Sequence, residues 1–187
     1  MDELLNYLRQ LEVFDPDAER ILRSHVREAV IGSHDILYEQ GQIPEAIAFV
    51  ASGALSVGTY RADGSDVISY FIVPGDFVVD VNDFKERRAV RGIIQAVVDT
   101  RVVFFTKEGI GKLSASITWW DEMWRKVANQ TLIDRVRKRA PSSKPDARSR
   151  YIAFNEQYPG LFDRIPRHVV ASYLDINTAT LSRVREK

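Results

Sequence analysis

Between Ser33 and Thr106 the chain changes texture, and this stretch constrains the fold more than any other. It holds six short runs rich in β-branched and aromatic residues, at 34–38, 47–51, 54–60, 67–73, 90–98 and 101–106. Gly41, Gly53, the hairpin pair Asp63-Gly64 and the turn Pro74-Gly75-Asp76 punctuate them. Strands this short and closely spaced predict an antiparallel sandwich or barrel rather than a parallel sheet.

Helical patterns flank that stretch. Residues 3–30 read as helices: Leu4, Leu5, Leu8 and Leu11, then Ile21, Leu22, Val26 and Val30, split at Asp15-Pro16-Asp17. After Thr106, residues Ile110, Leu113, Ile117, Trp120, Trp124 and Val127 recur at the three-and-four spacing of a coiled-coil seam. Gly109, Gly111 and a cap at Thr118 place a short helix first, then a long one over about 118–139. Past Val127 the seam fades through Thr131 and Asp134 or shifts to Leu132 and Val136. Three Trp within 119–124 exceed what such a helix needs for its own domain. Trp120, Trp124 and Val127 are therefore expected at a dimer interface, with intrachain core as the alternative. Residues 140–145 (APSSKP) form the clearest linker, and 146–158 form one more helix, ended by Pro159-Gly160.

The last stretch, 164–187, has the apolar pattern of two short helices packed steeply: Val169, Val170, Leu174, Ile176, Leu181 and Val184. Pro166 and Arg167 open the first helix, Ala171 is small at the crossing, and Asp175 tolerates the left-handed backbone of the turn. Asn177 or Thr178 caps the second helix, leaving Thr178, Ala179, Ser182, Arg183 and Glu186 outside. This is the pattern of a helix-turn-helix whose second helix enters a DNA major groove. An ordinary helical hairpin closing a core has the same pattern.

Charge separates the two readings further. The formal net charge is zero, yet residues 134–187 carry twelve Lys and Arg against six Asp and Glu. The remaining residues hold fourteen against twenty, so a basic C-terminal third sits on an acidic body, as in a nucleic-acid-binding module attached to another domain. The absence of cysteine excludes disulfides, cysteine-ligated clusters and thiol catalysis. The acidic, amphipathic start is no signal peptide, and no apolar run approaches a membrane span, so a cytoplasmic protein without membrane contact is expected. A cupin-like metalloenzyme needs clustered ligands, but His25, His34 and His168 fall in three separate regions. Neither a cofactor nor an enzymatic activity is expected.

The order of parts resembles the cyclic-AMP receptor/fumarate-nitrate regulator (Crp/Fnr) superfamily of bacterial transcription factors. The phrases that carry the resemblance are 34–41 (HDILYEQG), 49–57 (FVASGALSV) and 74–77 (PGDF). It implies an α+β chain: an antiparallel β-roll with flanking helices (1–117), a dimerisation helix (118–140) and a C-terminal helix-turn-helix domain (141–187). The implied partners are double-stranded DNA, a second copy of the chain, RNA polymerase and a small-molecule effector.

Two departures shape the expected function. Cyclic-nucleotide binders of the family carry Gly-Glu and, about ten residues on, Arg-Ser/Thr, which hold the ribose and phosphate. Here Val79 stands at the Gly position, Asp80 at the Glu position and Val90 at the Arg position, with Arg91 one residue late. Cyclic AMP is therefore not the expected effector, and Asp80, Arg88 and Arg91 are the residues for a different anion. On the second helix, Thr178, Ala179 and Arg183 replace the family's Arg-Glu-x-x-x-Arg. Arg183 suits a guanine edge; Thr178 and Ser182 reach phosphate or a base; Arg167, Arg185 and Lys187 meet phosphates. The sequence stops at Lys187, with no room for flanking strands; if that is the natural end, affinity is expected to be modest. The competing expectation is a ligand-independent or protein-interaction module that keeps the fold and has lost operator recognition.

Overall fold

The computed structural model describes residues 1–12, 15–62, 64, 66–79, 81–138 and 146–185. Two amphipathic helices open the chain, α1 (Asp2–Arg9) and α2 (Pro16–His25), and bury Leu4, Leu5, Leu8, Ala18 and Leu22. The Asp15 carboxylate accepts from Ala18 N at 2.7 Å, and Pro16 pre-sets the first turn of α2.

The helical reading of 3–30 ends too late. Val26–Ile31 is strand β1, antiparallel to the last strand, with Val26 opposite Phe105 and Ile31 opposite Thr100. Val26 and Val30 are four apart, a spacing that suits one helix face and also one strand face. A long neighbouring strand decides in favour of the sheet, where β-branched side chains pack well.

The other strands are β2 (Ile36–Tyr38), β3 (Ala46–Tyr60), β4 (Asp66–Ile72) and β5 (Ile93–Thr106). Their order is β1-β5-β3-β4, all antiparallel, with β2 on the first half of β5 and β1 on the second. Two pairs of predicted runs are thus single strands. Gly53, read as a turn, is a kink inside β3 with φ +94°. A Cβ there would lie 2.5 Å from Thr100 Oγ1, so only glycine permits this approach. Buried Thr100 accepts Ala54 N–H at 3.0 Å and donates to Val98 O at 2.7 Å, holding the bend. Asp63 of the hairpin signal lies outside the described residues.

Five further elements complete the roll and the C-terminal part: α3 (Val81–Lys85), α4 (Lys107–Ser116), α5 (Trp120–Arg137), α6 (Ala147–Gln157) and α7 (Arg167–Tyr173). A last helix, α8 (Thr178–Arg185), follows a tight turn. Thr106 caps α4 by accepting from Gly109 N at 3.0 Å, whereas α5 starts at Trp120 with no side-chain cap. Thr118 therefore does not cap the long helix. The linker 140–145 lies outside the described residues.

Two cores organise these elements. The first fills the roll and joins it to α1, α2, α4 and α5. Trp120 and Trp124 stack within it at 5.5 Å, and Trp124 meets Phe77 and Phe105. With Trp120 and Val127 fully buried and Trp124 only 2% exposed, this trio belongs to the chain's own core and is not the dimer seam expected from the sequence. Three aromatics in one short stretch are needed because α5 covers the open side of the roll. The second core sits on the outer face of the sheet, where Ala54, Ile68, Phe71 and Val97 pack against Phe154, Tyr158, Tyr173 and Leu181.

Candidate functional site

The segment after Pro74-Gly75-Asp76 is apolar where the resemblance would place a ligand. Val78, Val79, Val81 and Phe84 are all buried in the first core, and α3 packs against both β3 and α5. Arg88 is exposed, bonded to Asp83 at 3.2 Å and paired with Glu86. Arg91 is exposed as well, and Asp80 lies outside the described residues. Clefts lie elsewhere, at the end of α5 and beside α8, and neither residue lines them.

The cleft at the end of α5 is lined by Tyr7, Tyr70, Phe77, Thr131, Asp134 and the pair Asp76–Lys138. One Asp76 oxygen accepts Val73 N–H at 2.8 Å, and the other pairs with the Lys138 ammonium. Burial raises the Asp76 pKa above the ordinary carboxylate value, with Lys138 pulling the other way. Burial, with Asp134 and Asp76 nearby, pushes the Tyr7 phenol up to about 12. The Lys138 carbonyl accepts from Tyr158 OH at 3.1 Å, and that hydroxyl accepts from Phe71 N at 3.1 Å. Lys138 is thus tied to the roll by its side chain and to the C-terminal helices by its backbone. Sequence reasoning took Asp76 as a turn residue only; the 62-residue separation from Lys138 hides the pair.

The pair α7–α8 shows the expected local chemistry. Asp175, at the turn, has φ +50°, and its carboxylate takes a 3.0 Å bond from Arg61 of the sheet. Asn177, rather than Thr178, caps α8, accepting from Thr180 N at 2.7 Å. Leu181 and the α7 residues Val169, Val170 and Ala171 face inward. On the sheet side, Ser172 Oγ donates to Asp66 O at 2.6 Å.

Thr178, Ala179, Arg183 and Arg185 are exposed on α8, and Ser182 is half-buried. Arg183 donates to Ala179 O at 3.4 Å and Thr180 Oγ1 at 3.3 Å, with no carboxylate paired to it among the described residues. Arg185 lies over the Phe162 ring at 5.0 Å and 3.7 Å from Asp163. It shares a cleft of about 250 Å³ with Arg167, Phe162, Leu181 and Ser182. The structure therefore brings Arg167 and Arg185 together and leaves Arg183 apart. Glu186 and Lys187 lie outside the described residues. Among the described residues, no group of three or more His, Cys, Asp or Glu is placed to hold a metal ion. None of the described helices is long and apolar enough to cross a membrane.

Comparison with known proteins adds a likeness of fold. Residues 28–116 match the profile of the cyclic nucleotide-binding domain. That segment is similar to such a domain in fold, and the solved structures that resemble the chain include proteins described as regulators. The c-di-GMP responsive global regulator CLP of Xanthomonas campestris superposes with a TM-score of 0.66 at 15% identity, over 92% of this chain and 90% of its own. FixK2 from Bradyrhizobium japonicum gives 0.61 at 16% identity, over 86% and 83%. The catabolite activator protein of Thermus thermophilus gives 0.54 at 18% identity, over 94% and 84%. At such identities the likeness is one of fold. None of the curated proteins matches the chain by sequence.

Proposed function

We propose that this protein is a homodimeric DNA-binding transcription regulator and not an enzyme, with α7–α8 as its helix-turn-helix. The observation that carries the reading is the outer face of α8. It presents Thr178, Ala179 and Arg183 to solvent, with Arg183 free of carboxylates among the described residues. A guanidinium held this way suits the O6/N7 edge of guanine, and Ala179 suits a thymine methyl. The basic C-terminal third supplies the long-range attraction to phosphates. On this reading 141–187 is the DNA-binding part, 1–117 the sensor and 118–140 the dimerisation helix, and the likeness of fold to CLP runs over 92% of the chain.

The dimer seam is assigned to the outward side of α5, where Leu132 and Ile133 are 50% and 46% exposed. Val136, the next expected seam residue, has a side chain outside the described residues. Two recognition helices must lie about one DNA turn, ~34 Å, apart to read a two-fold site. An effector that shifts the Trp120–Trp124 packing against Phe77 and Phe105 would reset that spacing. Filling of the cassette by Val79, Val81 and Phe84 argues that the effector is not cyclic AMP. RNA polymerase is the expected partner at a promoter.

The same filled cassette also suits the second reading, a protein-interaction module that no longer reads DNA. Selection of bound sequences from a random duplex pool at physiological salt, with and without cyclic AMP, separates the two. A palindrome recovered in both arms supports the regulator. Recovery only with cyclic AMP overturns the assignment of the cassette. If nothing is enriched and weak duplex binding does not fall steeply with salt, the interaction module is the better reading.

A further inference from the structure

We infer that the cleft between Arg167, Arg185 and Phe162 seats one backbone phosphate of duplex DNA, shared by both guanidiniums. The inference rests on the DNA-binding reading and adds the stoichiometry of the contact, two arginines to one phosphate. Arg167 opens α7 and Arg185 closes α8, so nothing local in the sequence pairs them. The fold nevertheless puts both on one cleft of about 250 Å³, roomy enough for a phosphate with its deoxyribose. The cleft's apolar wall is Phe162 and Leu181, both buried, which suits the sugar.

Two guanidiniums on one cleft repel each other, and an anion between them removes that cost. Arg185 is held in place by stacking on Phe162 at 5.0 Å, which reduces the rotamer freedom it would lose on binding. Asp163 competes for Arg185 from 3.7 Å, but the two side chains are 46% and 76% exposed, and a pair so solvated is weak. A doubly anchored phosphodiester displaces it. Ser182 Oγ, now donating to Thr178 O at 3.1 Å, stands on the same cleft. Arg183 lies outside this cleft, so α8 divides its arginines between base edge and backbone.

The test is the salt dependence of full-length protein binding to a random-sequence duplex of about three helical turns. Wild type, Arg167→Gln, Arg185→Gln and the double variant are compared, with thermal melts to verify folding. If one phosphate is shared, either arginine alone still neutralises it. Each single variant then binds several-fold more weakly with nearly the wild-type slope of log K against log salt. The double variant alone loses about 0.9 of slope per subunit. Separate phosphates would give about 0.9 for each single variant and about twice that for the double, which overturns the shared seat. Unchanged slopes and affinities in all variants overturn it too. A wild-type protein with no salt-dependent duplex binding removes the DNA-binding reading and the inference together, so the two failures are distinguishable. A last arm replaces chloride by inorganic phosphate at equal ionic strength. Competition at the cleft should weaken duplex binding more in wild type than in the double variant, and an equal effect on both overturns the seat.

Discussion

The arginines of two segments, 78–91 and 167–185, have opposite surroundings. Arg88 lies between Asp83 and Glu86, and its charge is answered within five residues of itself. Arg183 reaches only a backbone carbonyl and a threonine hydroxyl among the described residues. In the same segment, Val78, Val79, Val81 and Phe84 are buried in the core of the roll. Beneath Arg183, Leu181 is buried while the opposite face of the helix stays open. The same side chain is thus a surface ion-pair partner in one place and available to a partner molecule in the other. What differs, among the described residues, is whether carboxylates stand beside the guanidinium.

The largest test of that contrast is Phe84→Ala. If 78–85 is core, deleting a ring with little exposure costs about 4 kcal/mol of stability in denaturant melts. A loss below about 1 kcal/mol would mean the segment is not packed, and the contrast breaks.

Lys138→Ala tests whether the two regions are held together, since Lys138 is bonded to the roll and to Tyr158. Removing it leaves Asp76 buried without its cation, a loss of about 3 kcal/mol at neutral pH. Burial raises the Asp76 pKa in the folded chain, so the folded state keeps the proton to higher pH than the unfolded state. Ionised Asp76 therefore subtracts stability as the pH rises through that folded value, and Lys138 is what offsets it. The penalty in Lys138→Ala should shrink as the pH falls toward the ordinary carboxylate range, because a neutral Asp76 needs no cation. Melts across that range check it; a penalty independent of pH would mean that Lys138 acts through its methylenes alone.

Arg183→Ala is the matching test on the open side. It should cost about 1–3 kcal/mol of specific DNA binding and relax the base preference at one position of each half-site. Stability should change by less than about 0.5 kcal/mol, since the side chain is exposed. Unchanged operator affinity would remove α8 as the reading helix.

Features written in neighbouring residues were legible in the sequence. The left-handed Asp175, the Asn177 cap and the turn at Gly75 follow from local backbone chemistry, and each stands where its residue type predicts. Features written in distant residues were not. Val26 and Val30 fit a helix until β5 is present to pair with them. Trp120 and Trp124 look like an interface until the roll is present for them to pack into. The Asp76–Lys138 bond and the joining of Arg167 to Arg185 depend on where the C-terminal helices dock on the sheet. That docking is set by Phe71, Ile68 and Val97, ordinary strand residues with nothing in their pattern to mark an outer face as buried.

The smallest expected effect belongs to the cassette arginines, and it tests the contrast from its other end. Arg88→Gln removes ion pairs that are 55% exposed on the arginine side, so stability should move by less than about 0.5 kcal/mol. Arg91→Gln should be as mild, because Arg91 is exposed. Cyclic AMP sharpens the measurement. A ligand present at a hundred times its dissociation constant stabilises a fold by about 2.7 kcal/mol, a shift of several degrees in Tm. Wild type and both variants should show no such shift with cyclic AMP if the buried Val79, Val81 and Phe84 are a fixed part of the core. A cyclic-AMP-dependent rise in Tm that Arg88→Gln abolishes would show Arg88 leaving Asp83 and Glu86 for a phosphate. The two segments would then differ only in which anion each arginine awaits, and the apolar filling of the roll would be a closed state that the nucleotide opens.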